Sequence, residues 1–93
     1  MNQLNYRIIG FGEYQPEGFD KPSFFNQFNF SSTLDKAKQI YNELYQDPEM
    51  DGAVLIEVNH EDWKVISEFG SENVEVVFTP VGTFKVVKLS VTL

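Results

Sequence analysis

The chain of 93 residues has the length of one domain, 1–93, and its lack of cysteine excludes disulfides, thiolate nucleophiles and cysteine-built metal cages. Fourteen acidic side chains against seven basic ones leave a net charge of −7, which opposes direct contact with nucleic acid or an anionic membrane and favours a basic partner. Apolar residues make up 42%, and the nine Phe, four Tyr and one Trp among them supply enough buried area for a core without staples.

The spacing predicts a first strand over about Asn5 to Tyr14, with Ile9 and Phe11 on one face and Tyr6 and Ile8 on the other. Gly10 and Gly12 within it point to a bulge or a close approach by neighbouring backbone. Residues 15–22, with their Pro, Gly and Asp, form a turn region. A second strand runs from Phe24 to Phe30, where Phe24, Asn26, Phe28 and Phe30 alternate against Phe25, Gln27 and Asn29.

A helix is expected over about 33–46, with Ser32 as its N-cap and Asp35 in the first turn. Leu34, Ala37, Ile40, Tyr41, Leu44 and Tyr45 form its apolar stripe, and Pro48 stops it. Strands follow over Ala53–Asn59 and Trp63–Phe69, joined by the polar link His60, Glu61 and Asp62. A second hairpin is expected from Asn73–Thr79 and Thr83–Leu93. The order β-β-α-β-β-β-β defines an α+β fold, a mainly antiparallel sheet of about six strands with one amphipathic helix packed on one face.

The charge is unevenly placed. Residues 43–75 hold ten acids (Glu43, Asp47, Glu49, Asp51, Glu57, Glu61, Asp62, Glu68, Glu72 and Glu75) and a single base, Lys64. That segment alone carries more negative charge than the whole chain, because the other 60 residues are weakly basic. Merged into one surface, these acids mimic nucleic-acid phosphates or dock an Arg/Lys-rich partner; spread over turns and solvent faces, they serve solubility and blunt edge pairing.

The remaining motifs carry little chemistry. Asp47 to Gly52 resembles the opening of a calcium loop, but the twelfth position falls on Val58, and a helix stop followed by a turn explains the same residues. His60 is the single histidine and reads as a turn residue. No nucleophile, base and orienter occur together, so no enzyme activity and no cofactor are expected. The aromatic set lacks the basic interleaving of a single-strand stacking platform and reads as core.

By size and charge the chain is similar to nuclease-immunity proteins and phage-encoded inhibitors of host defence, an analogy that rests on no motif. The leading expectation is a non-catalytic module that engages a basic protein surface, such as that of a nucleic-acid-binding enzyme, through Glu57, Glu61, Asp62, Glu68, Glu72 and Glu75, with Trp63 or an exposed Phe as apolar anchor. The alternative is a self-associating subunit, a homodimer paired through its C-terminal strand; a small enzyme or ligand-binding domain ranks third. With no apolar run near the roughly 18–20 residues that cross a bilayer and no signal-like stretch over Met1 to Asn5, a cytoplasmic location is expected.

Overall fold

The computed structural model describes residues 5–59, 62–79 and 84–89. Within them the chain runs β1 (Tyr6–Tyr14), β2 (Ser23–Ser31), α1 (Leu34–Gln46), β3 (Gly52–Asn59), β4 (Asp62–Phe69), β5 (Val74–Phe78) and β6 (Phe84–Lys88). A single 3₁₀ turn, Ser71–Asn73, precedes β5. The α+β class and the antiparallel pairing are as the sequence predicts.

The sheet is not one of six strands. Strands β2-β1-β3-β4 form an antiparallel sheet of four, and β5 and β6 form a separate two-stranded ribbon. The reason lies in β1 and β3, which are apolar on both faces. Ile8, Ala53 and Leu55 face one side and pack with Ala37 and Leu44 of α1. Ile9, Phe11, Val54 and Ile56 face the other and pack with Phe84 and Val86 of β6. A single helix covers only one of these faces, so the second hairpin leaves the sheet and lies over the other, where it removes apolar surface from water.

The helix begins one residue later than expected. Thr33, in extended backbone, is the N-cap in place of Ser32, and its Oγ1 accepts the Lys36 amide at 3.3 Å. Ser31, buried at the end of β2, accepts the Thr33 amide through Oγ at 3.2 Å and so sets the direction of entry. Gly10 lets the helix side approach closely: a Cβ there would come within 3.1 Å of the Met50 sulfur and 3.2 Å of Leu44. The close neighbours of Gly10 are thus side chains, whereas at Gly12 the nearest is backbone, as the sequence predicts: a Cβ there would come within 2.7 Å of the Glu49 carbonyl oxygen.

Two further boundaries move. Asp62 belongs to β4 and pairs with Asn59, so the β3–β4 link is the two residues 60 and 61, both outside the described residues. Strand β6 ends at Lys88; the remainder of the expected C-terminal strand, Thr83 and residues 90–93, lies outside the described residues. A bulge in the β3–β4 pairing, between Leu55 and Ile56, interrupts the alternation of β4. Among the described residues no helix is long and apolar enough to cross a membrane.

Candidate functional site

Antiparallel pairing brings four chain segments to one end of the four-stranded sheet. Strand β1 ends there in Glu13 and Tyr14, β2 begins there, β3 starts there after the α1–β3 turn, and β4 runs out there into Gly70. The ribbon contributes the end of β6 to the same place through Lys88 and Leu89.

The α1–β3 turn is built from its own acids. Asp47, the C-cap of α1, accepts the Glu49 amide through Oδ1 at 2.9 Å, the local turn that Asp favours. The Asp51 amide donates to the Phe11 carbonyl at 2.9 Å, and Asp51 Oδ2 accepts the Glu13 amide at 3.0 Å. Asp51 therefore ties the turn to the end of β1. On the other side of it, Gly70 adopts φ +69°, and a Cβ there would meet the carbonyl oxygen of Asp51. This sharp bend carries the chain from β4 into the 3₁₀ turn that bears Glu72.

Two adjoining hollows result, sharing Glu13 and Asp51 as a common wall. One, of about 520 Å³, is bounded by Glu13, Tyr14, Phe25, Pro48, Glu49 and Asp51. The other, of about 370 Å³, lies between Phe11, Phe24, Glu72, Asn73 and Lys88 on the ribbon side. Together they form a groove whose rim carries Glu13, Glu49, Asp51 and Glu72. The one cation lining it, Lys88, is ion-paired with Glu13. Tyr14 and Phe25 form an edge-to-face pair, centroids 5.8 Å apart, that makes an aromatic wall beside these carboxylates. Aromatic faces next to carboxylates suit an ammonium or guanidinium group. A further hollow, of about 10 Å³ beside Arg7 and Phe30, holds at most one water.

The residues expected from the sequence do not gather into one surface: Glu57, Asp62 and Trp63 share one end of the β3–β4 hairpin, apart from Glu68, Glu72 and Glu75. Glu57 pairs with Lys64, Asp62 with Asn59 and Trp63 with Val58, all toward the opposite end of β3, about 17–23 Å from its start at Gly52 at roughly 3.3 Å per residue. Trp63 is 38% exposed, with its ring edge-to-face with Phe84 at 5.6 Å, so ribbon packing holds part of it. Glu68 pairs with Val54, on the ribbon side by register, whereas Glu57 falls on the helix side; the bulge separates them. From its edge position Glu68 still helps raise the Tyr41 phenol pKa, behind burial and Tyr45. Glu75 is exposed on β5, opposite Val87, and Glu61 lies outside the described residues. Of the seven, Glu72 alone is named among the groove's lining residues.

The convergence of Glu49 and Asp51 with Glu13, Tyr14 and Phe25 is not legible in the sequence, because Glu13 and Asp51 are 38 positions apart. The usable signal was the pairing of β1 with β3, which places a strand end beside a strand start. Comparison with protein-family models, with curated proteins and with solved structures found no match to the chain, so function is argued from this site.

Proposed function

We propose that the chain is a non-catalytic binding module whose acidic groove accepts Lys or Arg side chains of a basic partner protein, in the manner of an inhibitor that stands in for nucleic-acid phosphates. The observation that carries this reading is the convergence of Glu13, Glu49, Asp51 and Glu72 around the Tyr14–Phe25 wall. Asp51 is held by the backbone of β1 and Glu13 by Lys88. Glu49 and Glu72 form no ion pair among the described residues and are the groups offered to a partner. A partner so recognised is a basic surface such as that of a nucleic-acid-binding enzyme, and the negative charge of the chain speeds its approach.

Catalysis is not part of the proposal.

Calorimetric titration with an arginine-rich peptide tests the reading. Binding is expected to weaken steeply as salt rises from about 0.05 to 0.5 M, since the Debye length shortens from well above 10 Å to a few Å. The double variant Glu49→Gln/Glu72→Gln should lose most of it. Peptide binding that ignores both salt and the double variant overturns the proposal.

A further inference from the structure

The sheet and the ribbon each turn a row of side chains toward the other, and the two rows end in opposite charges. In β1 the ribbon-facing row is Ile9, Phe11 and then Glu13; in β6 the sheet-facing row is Phe84, Val86 and then Lys88. The alternation that buries Phe84 and Val86 thus places Lys88 on the inner face, opposite Val74 of β5. Its ammonium is ion-paired with Glu13, and the side chain lines the ribbon-side hollow together with Asp51 and Glu72. Lys85 has the other parity. It is exposed on the outer face opposite Val77 and lines neither half of the groove.

The backbone that carries Lys88 is tied down independently of the ion pair. Strand β6 pairs with β5 up to Lys88, and the Leu89 amide donates to the Asn73 carbonyl at 3.0 Å. The ammonium can therefore leave Glu13 by rotation about its own side-chain bonds while the strand stays in place. The two side chains are 46% and 34% exposed, so an incoming cation reaches them, and a pair so open to water is weak enough to exchange. We infer that Lys88 is an autoinhibitory contact: it occupies on Glu13 the place of a partner's basic side chain, and it is displaced when a partner binds. The inference rests on the acidic groove being the partner site and adds its regulation. Self-occupancy lowers affinity for any single cation and reserves the groove for partners dense in basic groups, which engage Glu49 and Glu72 as Lys88 yields.

Calorimetric titration of an arginine-rich peptide with a blocked N-terminus into wild type, Lys88→Gln and Lys85→Gln tests this. The two substitutions remove the same charge from the same strand, so a general field effect moves both alike. Lys88→Gln should tighten binding about threefold to fivefold at low salt, the upper range for an exposed ion pair, and Lys85→Gln by less than about twofold. Lys88→Met, long and uncharged, should repeat the gain and so separates lost charge from lost packing. Amine acetylation followed by mass spectrometry reads the displacement directly in wild type: saturating peptide should raise the reactivity of Lys88 relative to Lys85. Binding by the wild type with equal gains in the Lys88 and Lys85 variants overturns the inference and leaves the groove reading standing. So does a Lys88 reactivity that falls or stays level as peptide binds. No binding by any of the four proteins overturns both.

Discussion

The amide of Glu13 donates to Oδ2 of Asp51 at 3.0 Å, and the Asp51 amide donates to the Phe11 carbonyl at 2.9 Å. This reciprocal pair of bonds closes the acidic end of the sheet. It brings together two acidic residues that linear sequence separates by 38 positions. Each carboxylate has its own partner, the Lys88 ammonium for Glu13 and the backbone amide for Asp51.

Removal of that acceptor should loosen the groove before it loosens the fold. Asp51→Ala is expected to cost about 1 kcal/mol in urea unfolding, the usual worth of one exposed hydrogen bond, and to weaken peptide binding. Asp51→Asn keeps an acceptor for the Glu13 amide, so it should retain most of the stability while still losing affinity.

Gly70 and Gly18 both adopt positive φ, +69° and +87°, yet their surroundings differ. Gly18→Ala has open space around its Cβ and should cost only the left-handed penalty, about 1–2 kcal/mol. Gly70→Ala adds a clash with the Asp51 carbonyl oxygen, so it should be the more destabilising by a clear margin in chemical denaturation.

The N-cap assignment is open to a direct check. Thr33→Ala should destabilise by about 1 kcal/mol, since it removes the acceptor for the Lys36 amide, whereas Ser32→Ala should be close to neutral. Equal effects of the two substitutions would contradict the observed cap.

Burial, then Tyr45 and Glu68, raise the pKa of Tyr41 above its ordinary value of 10.0. The unfolded chain therefore gives up this phenolic proton at lower pH than the folded chain does. Stability from Tyr41 is fully present below pH 10 and is lost as pH rises through the folded value. Tyr41→Phe should flatten this alkaline loss in denaturation measured across that range. Glu68→Gln should lower the phenol's titration midpoint in an ultraviolet titration.

Side-chain alternation was enough to place most elements. Strands β1 to β4 and the helix fall within a residue or two of their expected bounds, because each has a strong period of two or 3.6 residues. Thr33 escaped notice since Ser32 is an equally good capping residue, and only backbone conformation separates them. The double-sided apolar character of Ile8–Ile9 and Ala53–Ile56 is legible in the sequence and requires two covering layers, of which the single helix supplies one and the separate ribbon the other.

The candidate site was less legible. Ten acids between residues 43 and 75 form a block in sequence, but the hairpin carries Glu57 and Asp62 to one end of β3 and leaves Glu49 and Asp51 at the other. Composition and periodicity by themselves determined that this is a negatively charged α+β domain with one helix, because these follow from residue type and local spacing. Which acids become neighbours was decided by strand pairing and by the bulge at Leu55–Ile56, which depend on contacts distant in sequence. The same is true of the sheet's order: β2 is legible as a strand from its own residues, but only the arrangement β2-β1-β3-β4 places it outermost among the described strands.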